Sequence, residues 1–221
     1  MKRVMLMTAV SLVAMLGSAQ ANDQQLYDPA PPSDSAFVRV INGTGADVNV
    51  TLGSATYQKV AKSGGVAAYQ VIKEGEYKPS LQVSGAATQE APLTVSAGKY
   101  YTLALVKDAK DADGVAVKEM EDALMSNPTK SYVYFYNLTD KATAAVFSPK
   151  HKKDVVAVSS ALSSASKDLG QLTVDLAVTA EGKEVKQFPA VAFQRRAGVT
   201  FVLSGEADAL AATMTNNEVK R

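Results

Sequence analysis

The 221-residue chain contains no cysteine, no tryptophan and a single histidine. Without cysteine there are no disulfides to staple a small fold, so each domain must stand on its own hydrophobic core. Anchoring through an acylated cysteine is excluded as well. One histidine and no thiolate cannot build a zinc site of the usual kind. Beyond residue 21 no segment carries a long, clean helical period, and no excess of one charge is present. Lys and Arg total 23 and Asp and Glu 22. Removing residues 1–21 takes away Lys2 and Arg3, leaving 21 against 22, a balance of −1. A dedicated nucleic-acid binder would carry a strong basic excess, so no nucleic-acid partner is expected.

The first 21 residues read as an address. Met1–Arg3 supplies positive charge, residues 4–17 form a short apolar run, and Ala19-Gln20-Ala21 gives a small-x-small cleavage pattern. The run falls short of the roughly 20 residues that span a bilayer. The expectation is a cleaved signal peptide over 1–21 and an exported, periplasmic protein beginning at Asn22. Residues 22–35 then form a proline-rich arm with Pro29, Pro31 and Pro32. Proline restricts the arm to extended conformations and lowers the entropy lost on docking. Leu26 and Tyr27 supply an apolar anchor, so the arm reads either as a partner-binding segment, as a strap across the first domain, or as a disordered terminus.

From residue 36 onward, short stretches alternate apolar and polar residues between Gly, Asn and Ser punctuation, the signature of antiparallel strands. The second half repeats the first. SYVYFYNLT (131–139) matches AFVRVINGT (36–44) at an offset of 95, GQLTVDLAV (170–178) matches GEYKPSLQV (75–83) at 95, and AGVTFVLS (197–204) matches AGKYYTLA (97–104) at 100. The fold class expected is all-β: two small tandem immunoglobulin-like β-sandwiches, over 36–106 and 131–205. A charged linker over 107–130 joins them, and a mobile tail follows over 206–221.

Chemistry is sparse. His151 sits among Lys150, Lys152 and Lys153 and reads as part of a solvated basic loop, with no nucleophile elbow or triad pattern around it. Serine is frequent in 159–166, but nothing activates it, so the residues argue against an enzyme and imply no cofactor. DADG (111–114) has part of a calcium-loop pattern, yet Ala109 and Met120 occupy the first and twelfth slots. A looser calcium site and a plain acidic linker both remain open. Asn42-Gly43-Thr44 and Asn137-Leu138-Thr139 match the glycosylation pattern, but their equivalent places after the first strand of each repeat mark them as turn residues. The clusters Lys150/Lys152/Lys153 and Arg195/Arg196 could hold an anionic polysaccharide, meet an acidic partner patch, or simply be solvated. Tyr132, Tyr134 and Tyr136 share one strand face, which suits a packed core, an interface or a sugar platform.

The arm and first strand, LYDPAPPSDSAFVRVIN, with VIKEGEYKPSLQV, GKYYTLALV and SYVYFYNLTD behind them, resemble the alginate O-acetylation protein AlgF family. The resemblance covers the chain beyond the signal and is closest in the first half. It implies a periplasmic, non-catalytic connector required to O-acetylate alginate during export. Its implied partners are SGNH-type periplasmic acetyltransferases and a membrane-bound O-acyltransferase. The resemblance supplies no catalytic residues. The rival reading is a carbohydrate-binding module holding polyanionic alginate through the basic clusters and the tyrosine strand. A third, an acetyl-carrying intermediate on Ser or Thr, finds no activated nucleophile.

Overall fold

Alternation of β-branched and aromatic residues with polar ones shapes the whole molecule. The computed structural model describes residues 31–83, 89–90, 92–108, 114–124, 126–206 and 209–220, and among them there are strands and turns but no helix. The first half contributes β1 (Ser35–Asn42), β2 (Val48–Leu52), β3 (Ala55–Val60), β4 (Gly65–Val66), β5 (Tyr69–Lys73), β6 (Gly75–Tyr77), β7 (Ser80–Val83), β8 (Gln89–Glu90), β9 (Leu93–Val95) and β10 (Tyr100–Lys107). After β11 (Val115–Asp122) come β12 (Ser131–Asn137), β13 (Ala144–Ser148), β14 (Lys153–Val158), β15 (Ser163–Leu169), β16 (Leu172–Ala180), β17 (Lys183–Phe193) and β18 (Gly198–Ser204). The chain closes with β19 (Ala211–Asn216) and β20 (Val219–Lys220).

The strands form four main sheets. In the first half, β3-β2-β7-β8 faces β11-β10-β1-β5-β20, to which β4 adds through β1; β6 and β9 make a separate ribbon. The second half repeats the plan, with β14-β13-β16-β17 facing β15-β12-β18-β19. Val38 and Val40 of β1 enter one core with Val48, Val50, Leu81 and Leu103. Val133 and Phe135 of β12 enter a second with Val146, Val178, Phe193 and Phe201. The opposite faces of β1 and β12 meet in a third core, where Ile41, Ala104, Val106 and Met120 pack on Tyr132, Tyr134, Tyr136, Leu138 and Val202. The sheets therefore stack in four layers, and Pro31–Arg221 is one compact unit. Because strand side chains alternate faces, β1 and β12 each serve two cores at once.

The repeat is visible in the hydrogen bonds. β1 runs parallel to β10, and β12 runs parallel to β18. Phe37 N donates to Lys99 O and Tyr132 N to Ala197 O; Gly43 N donates to Leu105 O and Leu138 N to Leu203 O. The first strands are thus offset by 95 (132 − 37), but the last are offset by 98 (197 − 99). The sequence match at 100 is two residues out, a slip that keeps every side chain on its face and so leaves no trace in the polarity pattern.

Two segments differ from expectation. The segment 107–130, expected as a linker, holds β11, which pairs with β10 along its whole length from Val115 to Asp122. Its end is pinned: Tyr134 Oη donates to Ala123 O (2.8 Å), and Asn127 N donates to Tyr132 Oη (2.7 Å). The segment 206–221, expected as a mobile tail, holds β19, paired antiparallel with β18, and β20, which crosses back to pair in parallel with β5 of the first half.

The two Asn-x-Thr sequences build the same buried turn. Asn42 Nδ2 donates to Ala46 O (2.8 Å) and Val60 O (2.9 Å), while its Oδ1 accepts from Thr44 N and Thr44 Oγ1. Asn137 Nδ2 donates to Lys141 O and Ser160 O, and its Oδ1 accepts from Thr139 N and Oγ1. Both asparagines are fully buried. Removing either side chain strands buried carbonyls at a cost of about 1–3 kcal/mol. Asn42→Ala and Asn137→Ala are each expected to lose that much unfolding free energy by denaturant titration; wild-type stability in either would contradict the turn's role.

Candidate functional site

Phe37, Arg39 and Ile41 occupy the face of β1 that looks away from the first core. Arg39 is consequently held between the halves with 1% of its surface exposed. Its Nε donates to Thr102 Oγ1 (2.9 Å) and Nη2 to Tyr136 Oη (2.9 Å); Nη1 donates to Thr200 Oγ1 (3.0 Å) and Asn217 Oδ1 (3.1 Å). Thr102 comes from β10, Tyr136 from β12 and Thr200 from β18, and Asn217 follows β19, so one guanidinium joins both halves. The ring of Tyr69 lies 4.4 Å from its carbon, in cation–π contact.

Asp122, at the end of β11, is the counter-ion. Its Oδ2 lies 3.9 Å from Arg39 Nε and accepts from Tyr69 Oη (2.7 Å) and Thr102 Oγ1 (2.5 Å), and its Oδ1 accepts from Tyr136 Oη. Thr200 Oγ1 donates a hydrogen bond to Asn217 Oδ1 (2.6 Å), as Thr102 does to Asp122. Thr102 and Thr200 are repeat equivalents at the offset of 98, and Asp122 and Asn217 stand 95 apart (217 − 122). The two repeats thus offer matching acceptors to a single cation.

Burial opposes the charge on Arg39, but Tyr136, Tyr69 and Asp122 outweigh it and hold the guanidinium above its ordinary range. Burial raises Tyr69 and Tyr136; Arg39 pulls both down and Asp122 pushes them back up, with a net rise. The hydroxyls therefore remain donors. A recess of about 80 Å³ lined in part by Val66, Ala68, Asn217 and Glu218 reaches Arg39. It has room for about two or three waters, not a sugar. The constellation's hydrogen bonds join the two halves.

The residues expected from sequence are dispersed. Tyr132, Tyr134 and Tyr136 do share one face, but that face is buried in the core between the halves, which overturns the sugar-platform reading. A strand covered on both faces has no ring left to offer. Lys150, Lys152 and Lys153 are exposed at the β13–β14 turn with His151, and Arg195 and Arg196 are exposed at the β17–β18 turn. Pro31 is half-buried and Pro32 exposed, with Pro32 O accepting from Ser35 N (3.0 Å). Leu26, Tyr27, Pro29 and the signal residues lie outside the described residues, as do Asp111 and Asp113 of the DADG segment. Among the described residues no group of three or more His, Asp or Glu is placed to hold a metal. Arg39 and Asp122 were not singled out in the sequence. The available signal was an arginine sharing a strand face with Phe37 and Ile41.

Fold and site together define an all-β protein of two repeated halves joined by hydrogen bonds around a buried ion pair. The family model described as alginate O-acetyl transferase AlgF matches residues 8–200, and the chain belongs to that family. It is 28% identical over 202 residues to the alginate biosynthesis protein AlgF of Pseudomonas syringae pv. tomato, covering 91% of this chain and 85% of that protein. To the AlgF of Pseudomonas aeruginosa it is 26% identical over 212 residues, covering 96% and 92%. Among solved structures, the C-terminal domain of AlgF from P. aeruginosa aligns with 40% of this chain and 99% of its own at 22% identity, with a TM-score of 0.37. A putative cell adhesion protein from Bacteroides ovatus aligns with 87% of this chain and 99% of its own at 10% identity and a TM-score of 0.27.

The raised tyrosines fix a pH dependence. Burial lifts Tyr57, Tyr69, Tyr134 and Tyr136 above their ordinary value. The unfolded chain loses these protons near pH 10 while the folded chain keeps them, so stability is complete below about pH 10 and falls as pH rises further. In an alkaline titration, tyrosinate absorbance from these four residues is expected to appear together with the loss of folded near-UV dichroism. Smooth ionisation of every tyrosine with the fold intact would contradict this.

Proposed function

We propose that the protein is a non-catalytic periplasmic adaptor for the O-acetylation of alginate, bringing together the periplasmic acetyltransferases and the membrane-bound O-acyltransferase during polymer export. Family membership supports the link to alginate O-acetylation, which the relatives' names carry. The signal-like residues 1–21 support export. The two halves read as immunoglobulin-like sandwiches, each an inner sheet backed by an outer one.

The observation that carries the adaptor reading is the fate of the polar constellation around Arg39. Its hydrogen bonds join β1, β10 and β11 to β12, β18 and the segment after β19, and a recess of about 80 Å³ is the space beside it. Such a cluster fixes two sandwiches in one orientation, which suits a part that sets distances between other proteins. The arm from Asn22, with Leu26, Tyr27, Pro29, Pro31 and Pro32, is a further docking element in this reading.

The test is capture of the purified periplasmic acetyltransferases by the mature chain, with alginate oligomers titrated in parallel by calorimetry. The expected result is protein capture without heat from alginate. Alginate binding without protein capture would replace the adaptor by a polysaccharide-holding module.

A further inference from the structure

The outer sheet of the second half ends in a cationic surface. β13 and β17 both border β16: Phe147 pairs with Ala177, and Leu172 pairs with Phe193. The turn after β13 and the turn after β17 therefore leave the sheet at the same end. The first carries Lys150, Lys152 and Lys153, and the second carries Arg195 and Arg196. Both turns are fixed. Ser148 pairs with Lys153 across the first, and in the second Arg196 N donates to Lys130 O (2.9 Å) and Ala197 N to Gln194 O (3.2 Å).

Charge is uncompensated there. None of the five cations joins an ion pair among the described residues, whereas Lys73, Lys107 and Lys130 pair with Asp34, Glu206 and Asp168. On the strands of this sheet the exposed acids are Asp154, Asp175 and Glu184; Glu184, opposite Thr179, lies at the far end, and Asp175 Oδ1 is engaged by Ala190 N (2.8 Å). Five positive against two negative charges leave a local excess of three in a chain that is otherwise close to neutral.

Between the two turns lies an apolar element. Leu172, 38% exposed, lines a groove of about 510 Å³ with Gln171, Thr173, Ala192, Gln194 and Arg195. Phe193 also borders the groove but is 1% exposed, and Phe147 is half-buried, so the large apolar side chain most exposed at this end is the aliphatic Leu172. From strand spacing and rise, the turns stand two strands apart and about four or five residues offset, roughly 15–20 Å. One small anion cannot bridge that distance.

We infer that this end of the β14-β13-β16-β17 sheet is a docking surface for the acidic face of a protein partner, with Leu172 at its centre and the two cationic turns as its rim. An apolar centre with a charged rim is the anatomy of a protein interface. Basic rims act chiefly by steering association, so their effect is on the rate of encounter and weakens with salt. An acidic polysaccharide satisfies the charges but leaves the apolar side chain of Leu172 unused. The inference rests on the adaptor reading and assigns that reading a surface.

The experiment measures association of the full mature chain with each purified periplasmic alginate acetyltransferase at low and high salt. The variants are Lys150→Glu/Lys152→Glu/Lys153→Glu, Arg195→Glu/Arg196→Glu and Leu172→Asp, each confirmed as folded by circular dichroism. Alginate oligomers form a second arm. Expected is capture of an acetyltransferase by the wild type, an association rate at least 10-fold slower in both charge reversals, a salt dependence that shrinks with them, and faster release from Leu172→Asp. Wild-type binding by all three variants would overturn the surface and leave the adaptor standing. Failure of the wild type to bind any acetyltransferase would overturn both. Oligomer binding that the same reversals abolish, without acetyltransferase capture, would overturn the protein occupant.

Discussion

A single buried positive charge organises this protein. Moving a guanidinium from water into a packed interface costs several kcal/mol even after relaxation, and the cost is offset when its donors are directed at acceptors and a counter-ion is near. Arg39 meets it by drawing acceptors from both repeats: Thr102 and Asp122 from one side, Tyr136, Thr200 and Asn217 from the other. Neither half can satisfy the charge by itself. The surrounding apolar contacts, Ile41, Ala104, Met120 and Leu138 among them, supply area but no direction. The charge supplies direction. Exposed pairs such as Lys73–Asp34 and Lys107–Glu206 are worth at most about 1 kcal/mol each and cannot set the arrangement of the halves.

The duplication explains why such a clamp is available. Each repeat presents a parallel pair, β1 with β10 and β12 with β18, followed by an antiparallel edge strand, β11 or β19. When the inner sheets face each other, equivalent threonines and equivalent acceptors fall on either side of the junction. At the centre of the junction the repeats differ in charge: Arg39 stands where the other half has Tyr134, and Asp122 where it has Asn217, each 95 residues on. That asymmetry turns a self-complementary apolar face into a charged lock with one orientation. Two halves held this way keep their outer surfaces at fixed spacing, as the proposed adaptor role requires. The cationic end of the outer sheet is then presented at a set distance from the proline-rich arm's attachment at Pro31.

Much of the architecture was legible from alternation alone. The strands bearing Val, Ile and Tyr at every second position announced themselves, as did the repeat of Asn-x-Thr after β1 and β12. β11 was missed because Lys118, Glu119 and Glu121 crowd its exposed side and its inward residues, Val115, Met120 and Asp122, keep no strict period. β19 was missed because Ala, Thr and Asn form an edge strand only when β18 is there to pair with. Arg39 reads locally as a solvent-facing residue; its burial depends on tyrosines about 95 residues away, a relation that no local pattern encodes. The basic turns were legible as clusters, while their common end of one sheet follows only from the register of β13, β16 and β17.

The most direct test of the clamp is a double-mutant cycle of Arg39→Met and Asp122→Leu, read as unfolding free energy by denaturant titration at neutral pH. Each single change leaves one buried ion without its partner and is predicted to cost about 3–5 kcal/mol. The double change removes both charges, and it is predicted to recover a large part of that loss, a non-additivity above about 1 kcal/mol. Single variants within about 0.5 kcal/mol of the wild type, or a double variant whose loss is the plain sum of the two, would contradict the claim that this buried pair, at the junction of the halves, organises the structure.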